Sequence, residues 1–252
     1  MIIQYASDLH LEFPQNREFL KLNPIQPKGD ILLLAGDIIP FSEIGKHSYF
    51  FDYLADSFQF VYWIPGNHEY YHSDSAEKCG YLNERIRGNV FLINNLSVVH
   101  YNVKIILSTL WSKISVANKF VIEQFLNDFH LIKYNGKRFT SEQYNIFHKE
   151  SLEFIRDEIT REVADKTIVV THHAPTFFNY PEKYKKSMLN EAFTVELFDF
   201  IEANGPDYWI YGHTHFNTPV FEIKKTKLLT NQLGYVHENE HFSFINNASF
   251  LV

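Results

Sequence analysis

The sequence predicts an α/β fold, because short apolar runs of strand length alternate with longer segments of helical periodicity. Hydrophobic residues make up 45% of the 252 positions and charged residues 21%, the composition of a folded globular chain. A chain of this length can bury a sizeable core. We find no internal repeat, low-complexity tract or change of composition typical of a linker, so we expect one domain over residues 1–252.

The first quarter of the chain predicts three buried strands. Residues 1–5 form a mostly apolar run, and residues 30–35 contain the continuous run Ile–Leu–Leu–Leu, typical of a strand covered on both faces. The third strand is predicted over 58–64. Residues 11–29 contain three prolines and a glycine, which indicate a loop. Apolar residues at helical spacing predict a helix over 42–57.

The middle of the chain predicts both helices and strands. Residues 73–87 are predicted as a helix, with Ser73 or Asp74 as its N-cap. Residues 113–165 are predicted to be mostly helical, with a break at Asn135 and Gly136, and 112–165 is a candidate helical cap over a site. Three strands are predicted between these regions: 90–93, then 97–101 and 103–110, which form a hairpin turning near Asn102.

The last third predicts more strands and one helix. Residues 167–171 are rich in β-branched side chains and predict a strand. Residues 176–189 contain Pro181 and three lysines and are predicted as a loop. A helix is predicted over 190–204, from its stripe of apolar residues. The remaining predicted strands are 207–211, 219–224, 227–231 and 242–246.

Polar side chains with metal-ligand chemistry follow five of these strands directly. In layered α/β folds the carboxyl ends of strands meet at one edge, where ligands bind, so we expect these clusters to converge. Neutral imidazole is the commonest protein metal ligand, and the chain has 13 histidines. The single cysteine, Cys79, excludes an intrachain disulfide and a cysteine-rich metal site. The clusters contain Asp8, His10, Asp37, Asn67, His68, His172, His213 and His215.

This pattern resembles the calcineurin-like metallophosphoesterase family. The motifs occur in family order between residues 8 and 215, and together they are far more specific than any one alone. The resemblance implies a four-layer αββα sandwich with mixed sheets and a site for two metal ions. The residues that carry it are Asp8–Leu9–His10, Gly36–Asp37, Gly66–Asn67–His68–Glu69, His172 and Gly212–His213–Thr214–His215.

The resemblance also implies how the ligands divide between two ions. Asp37 would bridge the ions, and His172 fits the family position better than its neighbour His173. Mixed imidazole and carboxylate ligands suit Mn, Fe, Zn, Co or Ni, and the sequence does not choose among them. Glu69 is expected to orient a ligand rather than to bind metal. One ion would be held by Asp8, His10, Asp37 and His215, and the other by Asp37, Asn67, His172 and His213.

The same resemblance implies a hydrolase that acts on a small phosphomonoester or phosphodiester. A metal-bound hydroxide would attack phosphorus, and His68 would act in proton transfer. Residues that contact the substrate are not identified. His173 and Trp111 are candidates, with contact to a metal ligand as the alternative role for His173 and a position in the core as the alternative for Trp111.

Other functions on the same fold remain open at this stage. They are a nuclease, a cyclic-nucleotide phosphodiesterase and a scaffold without catalytic activity. The net charge of −7 disfavours a nucleic-acid substrate. The protein phosphatase branch of the family has arginines around the phosphate. None lies beside Asn67 and His68 in the sequence, which disfavours protein phosphatase activity.

No secretory signal and no apolar run near the roughly 20 residues of a transmembrane helix is visible. From these features we predict a cytoplasmic protein without a membrane partner.

Overall fold

The computed structural model describes residues 1–161 and 163–252 and contains two six-stranded mixed sheets. In each sheet four central strands run parallel, with an antiparallel strand at each edge. The first sheet has the spatial order β14 (Ser249–Leu251), β1 (Ile2–Ala6), β2 (Ile31–Ala35), β3 (Phe60–Ile64), β5 (Val90–Asn94), β4 (Leu82–Arg87). The second has the order β12 (Phe221–Ile223), β13 (Thr226–Thr230), β11 (Tyr208–Tyr211), β10 (Lys166–Thr171), β7 (Val103–Ser108), β6 (Leu96–His100).

Helices cover the outer faces of the two sheets. Helices α1 and α2 pack on the first sheet, and α5 and α6 pack on the second. Short helices α3 and α4 lie between β7 and α5 in the chain. The helices are α1 (Pro14–Leu22), α2 (Ser48–Ser57), α3 (Lys119–Phe125), α4 (Asp128–Leu131), α5 (Ser141–Thr160) and α6 (Phe198–Asn204).

The strand β2 shows why the sheets lie between helices. All five of its residues are buried. Successive side chains of a strand point to opposite faces. Leu32 and Leu34 pack with Phe51 of α2, whereas Leu33 packs with Ile105 of the second sheet. The structure thus confirms the strand covered on both faces that the sequence predicts and the αββα sandwich that the family resemblance implies.

Two sequence predictions in the first third are wrong. Residues 73–87 are not a helix: β4 occupies Leu82–Arg87 and pairs with β5, and Gly80 adopts a φ of +72° before it. Asp74 accepts a hydrogen bond from the backbone N–H of Ala76, but it caps only a 3-10 turn. Within the predicted loop 11–29, α1 begins at Pro14, because proline is compatible with the first helical position.

Three further segments differ from their predicted elements. The break at Asn135 and Gly136 is the turn of a hairpin between β8 (Lys133–Tyr134) and β9 (Lys137–Arg138), inside a region predicted as helix. The helix predicted over 190–204 begins only at Phe198. The strand predicted over 242–246 is wrong, since a 3-10 turn occupies Glu240–Ser243.

None of the helices described in the structure has the combination of length and apolar character needed to cross a bilayer.

Candidate metal centre

The eight residues singled out in the sequence lie together at one rim of the two sheets. Asp8 and His10 follow β1, Asp37 follows β2, and Asn67 and His68 follow β3. His172 follows β10 of the second sheet, and His213 and His215 follow β11. Because β1, β2 and β3 run parallel in the first sheet and β10 and β11 run parallel in the second, the carboxyl ends of these strands bring the side chains to the same rim.

The backbone at this rim adopts a conformation that is uncommon for residues other than glycine. Such left-handed positions cluster at functional sites, where the surrounding structure holds them. Positive φ angles occur at Asp8 (+55°), His10 (+48°), Asp37 (+55°), His213 (+70°) and His215 (+47°).

The first donor group contains two carboxylates and two imidazoles. One donor atom from each of Asp8, His10, Asp37 and His215 lies within 4.8 Å of the others. Nε2 of His10 lies 3.0 Å from Nε2 of His215. Nε2 of His215 is 3.4 Å from Oδ1 of Asp8, and Nε2 of His10 is 3.8 Å from Oδ2 of Asp37.

The second donor group shares Asp37 with the first. Oδ1 of Asp37 lies 3.4 Å from Nε2 of His172, so the two oxygens of this carboxylate face different groups. Nε2 of His172 is also 3.0 Å from Nδ1 of His213 and 3.1 Å from Oδ1 of Asn67. One carboxylate between two sets of nitrogen and oxygen donors is the arrangement that two neighbouring cations require.

Each of three imidazoles has one ring nitrogen in a donor group, the inner nitrogen, and one that points away from it, the outer nitrogen. The partners of the outer nitrogens show whether the cluster can bind cations. Nδ1 of His10 contacts Glu12 at 3.0 Å, Nδ1 of His215 contacts Glu240 at 2.7 Å, and Nδ1 of His172 contacts the carbonyl oxygen of Ala35 at 2.9 Å. These partners accept hydrogen bonds only, so each outer nitrogen carries the proton and each inner nitrogen can present a lone pair. Lone pairs that face each other at 3.0 Å need a cation or a proton between them.

Two pairs of imidazoles face each other, His10 with His215 and His172 with His213. In each pair the pKa of one imidazole is lowered and that of the other is raised. Burial lowers the pKa of His10, and burial together with neighbouring imidazoles lowers that of His213 well below its usual range. Burial also opposes the charge of His215 and His172, but Asp8 and Glu240 raise the pKa of His215 to about 10 and Asp37 raises that of His172 to about 9. In each facing pair, one imidazole therefore has a raised pKa and the other a lowered pKa.

Two glycines allow the strand ends to approach this closely. A Cβ atom on Gly66 would lie 2.2 Å from Oδ1 of Asp37 and 2.7 Å from Nε2 of His172. Gly36 has a φ of +87°, and a Cβ atom there would lie 2.5 Å from Nδ1 of His172. The glycine in each motif is thus required by space, and at Gly36 by backbone conformation also.

Glu69 has the orienting role expected of it and does not face the donor groups. Its buried carboxylate accepts hydrogen bonds from the backbone N–H groups of Asp37 (2.9 Å), Ile38 (2.7 Å) and Gly66 (2.7 Å). The indole of Trp63 donates a fourth at 3.0 Å. Glu69 therefore fixes the loops after β2 and β3 relative to each other.

Glu12 is a site residue that sequence reasoning missed. Its Oε1 lies 2.8 Å from Nδ1 of His68 and 3.0 Å from Nδ1 of His10. Burial opposes its charge, but His10 and His68 lower the pKa of Glu12 to about 2, so it stays a carboxylate. The available signal was its spacing, two residues after His10 on the same strand-end loop.

Asp128 is a second missed residue, and it comes from α4. Its Oδ1 accepts hydrogen bonds from Nδ2 of Asn67 at 2.8 Å and from the hydroxyl of Tyr71 at 2.9 Å. This contact fixes the amide so that Oδ1 of Asn67 faces His172. No local pattern indicates it, because 61 residues separate the partners.

His68 lies beside the donor groups and lines a cleft that opens from them. The ring of Tyr71 stacks on it with centroids 4.1 Å apart, and the hydroxyl of Tyr235 lies 3.3 Å from its Nε2. Burial opposes protonation of His68, but Asp37 and Glu12 outweigh it and raise the pKa of His68. His68 can therefore carry a proton near neutral pH.

The two candidate substrate contacts do not line this cleft, although the ring centroid of His173 lies 4.3 Å from that of His213. Nε2 of His173 is 3.0 Å from the hydroxyl of Tyr144, and His173 is fully buried. Trp111 is 2% exposed and belongs to an aromatic core with Phe139 and Tyr144. Neither lines the cleft, so the core alternative for Trp111 describes its position.

Comparison with known proteins agrees with this fold. The sequence model of the calcineurin-like phosphoesterase family matches residues 3–217. The uncharacterized protein L509 of Acanthamoeba polyphaga mimivirus is 34% identical over an alignment 269 positions long, which covers 96% of this chain and 94% of the viral protein.

Two solved structures share the fold at low sequence identity. The phosphopantetheinyl hydrolase PptH of Mycobacterium tuberculosis superimposes with a TM-score of 0.73 at 16% identity, over 99% of this chain and 95% of that one. A dimetal phosphatase of Danio rerio gives a TM-score of 0.53 at 13% identity, over 92% and 87% of the two chains. The match over residues 3–217 shows that the chain belongs to the calcineurin-like phosphoesterase family and is a metallophosphoesterase, a hydrolase that acts on phosphoester bonds.

Proposed function

We propose that this protein hydrolyses a small phosphomonoester or phosphodiester at a site that holds two divalent transition-metal ions. The observation that carries the proposal is the carboxylate of Asp37, whose two oxygens face two separate donor groups. The first ion would be bound by Asp8, His10, Asp37 and His215, and the second by Asp37, Asn67, His172 and His213. The donors are imidazoles, carboxylates and one amide, which favour Mn, Fe, Zn, Co or Ni.

When bound, such ions polarise the phosphoryl oxygen and lower the pKa of water to about 7. The reaction forms one bond from water oxygen to phosphorus and breaks the bond from phosphorus to the leaving oxygen. The leaving oxygen needs a proton, and His68 is the group that supplies it. Glu12 holds Nδ1 of His68, so that Nε2 is the nitrogen available for this transfer. Asn67 is a neutral donor and so leaves more positive charge on the second ion to attract phosphate.

The other candidate functions have less support. A nuclease binds a polyanion, and no lysine or arginine lines the cleft in the described part of the chain. A scaffold without activity has no need of His68 with its charged partner Glu12. The mycobacterial structure is named for a phosphopantetheinyl substrate, and at 16% identity the shared fold carries no argument for that substrate here.

The proposal is tested with 4-nitrophenyl phosphate, bis(4-nitrophenyl) phosphate, a cyclic nucleotide and phosphopantetheine, each with Mn, Fe, Zn, Co and Ni. We expect hydrolysis of at least one ester, with a kcat lower by about 10²–10⁴-fold in His68→Ala. Asp37→Asn should lose both activity and bound metal. His130→Ala is the control, since His130 is exposed on α4 and contacts only the carbonyl oxygen of Gln124. Absence of turnover with every ester and metal rejects the proposal.

A further inference from the structure

The candidate metal centre opens into a cleft with a volume of about 350 Å³. This volume lies within the range of about 300–1,000 Å³ typical of small-molecule sites. Asp37, Asn67 and His213 line it together with His68, so the cleft and the donor groups form one continuous space. A phosphoryl group at the donors therefore leaves room for the alcohol part of an ester.

Two segments of the chain give the cleft its apolar lining. One is the end of α3, where Phe125 and Leu126 line the cleft and Phe125 is 65% exposed. The other lies between β10 and α6 and supplies Tyr180, Tyr184 and Leu189. Large apolar side chains held at a solvent-accessible surface typically mark a binding site. The segment predicted as a cap thus supplies one part of the lining.

The charge of the cleft restricts what this lining can bind. Among the described residues that line it, the imidazoles of His68, His213 and His215 lie at the donor groups, Asp37 and Glu240 are carboxylates, and none is lysine or arginine. The nearby Lys183 lies over the rings of Tyr184 at 4.4 Å and Phe216 at 5.5 Å, outside the lining. A second anionic group on the substrate that lies against the apolar lining, away from the donor groups, would therefore find no lysine or arginine in the cleft.

We propose, on the basis of the function proposed above, that the substrate is a phosphoester whose leaving alcohol is uncharged and has an aryl or alkyl body. This body packs against Phe125 and Leu126 on one segment and against Tyr184 and Leu189 on the other. The cleft selects against nucleoside polyphosphates and against phosphoesters that carry a second carboxylate or phosphate.

The test compares three esters of aliphatic alcohols: 2-phenylethyl phosphate, ethyl phosphate and 3-phosphoglycerate. We expect kcat/KM for the phenylethyl ester to exceed that of the ethyl ester by at least about tenfold, since apolar contacts of this size discriminate to that degree. The value for 3-phosphoglycerate should be the lowest. In Phe125→Ala the ratio of phenylethyl to ethyl should fall towards one. Phe120→Ala is the matched control, because Phe120 is 75% exposed on the same helix and does not line the cleft.

A binding measurement makes the result independent of turnover. Calorimetry with 3-phenylpropylphosphonate and propylphosphonate, which cannot be hydrolysed at the replaced ester bond, should show tighter binding of the phenyl compound. Its binding should also have a more negative heat-capacity change. Leu189→Ala should reduce this difference, and Met188→Ala, which changes an exposed neighbour outside the cleft, should not.

The outcomes separate the two proposals. Equal kcat/KM and equal affinity for the phenyl and alkyl compounds, with turnover intact, overturns this inference and leaves the proposed hydrolysis standing. Selective binding of the phenyl compound that depends on Leu189, without turnover of any ester, supports the apolar cleft and rejects the hydrolysis. Preference for 3-phosphoglycerate also overturns the inference.

Discussion

Oε1 of Glu12 lies 2.8 Å from Nδ1 of His68, and the same oxygen lies 3.0 Å from Nδ1 of His10. One carboxylate thus orients both a proposed metal ligand and the proposed proton donor. Because partners of this kind fix tautomer and ring orientation, their loss typically costs about 10–100-fold in activity or metal affinity. The link between metal binding and proton transfer is therefore built into the loop after β1.

Glu12→Gln should lower kcat about 10–100-fold and change its pH dependence. The carboxylate raises the pKa of His68, so its removal lowers that pKa. Activity that depends on protonated His68 is lost as pH rises through its pKa, and this loss should begin at lower pH in the variant. A pH profile of kcat checks the shift. Glu18→Gln on α1 is the control, since Glu18 is exposed, and an unchanged profile in Glu12→Gln would contradict the role of Glu12.

Asp128→Ala should weaken binding of the second ion about 10–100-fold while the first stays bound. The buried carboxylate holds Nδ2 of Asn67, and without it the amide can rotate away from His172. Metal titration followed by calorimetry should show one tight and one weak site. Asp157→Ala, at an exposed position on α5, should retain two metal sites with the affinities of the wild type. Loss of both sites together in Asp128→Ala would indicate a general structural role instead.

Gly66→Ala should abolish metal binding and lower the free energy of unfolding by about 1–3 kcal/mol, as overpacking of a close contact does. The new Cβ atom would lie 2.2 Å from Oδ1 of Asp37. Thermal unfolding and metal analysis measure the two effects. Gly45→Ala is the matched control, since nothing lies within 4 Å of a Cβ atom there. A Gly66→Ala protein with normal metal content would show that the loop after β3 has more freedom than the structure indicates.

Metal binding at pH 7.5 should release about two protons per chain, because ligands must be deprotonated to bind. His215, with a pKa of about 10, and His172, with a pKa of about 9, are charged at that pH in the metal-free protein. Their contribution to stability is present below the unfolded pKa of about 6.5 and is lost as pH rises through 9 to 10. Calorimetry in buffers of different ionisation enthalpy counts the protons. Metal binding without proton release would contradict the roles of His215 and His172 as ligands that are protonated in the metal-free protein.

The sequence was most informative where strands end in polar motifs. The convergence of Asp8, Asp37 and His213 agrees with the rule that the carboxyl ends of parallel strands meet at one edge, where ligands bind. Side-chain contacts between distant segments were not predictable in this way. Asp128 is 61 residues from Asn67, and Glu240 is 25 residues from His215, and nothing local indicates either pair.

The prediction of secondary structure was wrong where a local sequence signal is compatible with two structures. Pro14 can end a helix or begin one, and here it occupies the first turn of α1. Asp74 can cap a helix or a single turn, and the pairing of β4 with β5 decided the latter. The apolar lining of the cleft, including Phe125 and Leu189, also lay beyond local patterns, because its two segments meet only in the folded chain.

The central claim is that the carboxylate of Asp37 lies between two bound cations. Anomalous diffraction from crystals grown with Mn²⁺ tests it most directly. We predict two anomalous peaks roughly 3.5–4 Å apart, one on each side of the Asp37 carboxylate, and their disappearance in Asp37→Asn. A single peak, or two peaks that do not flank Asp37, would contradict the account.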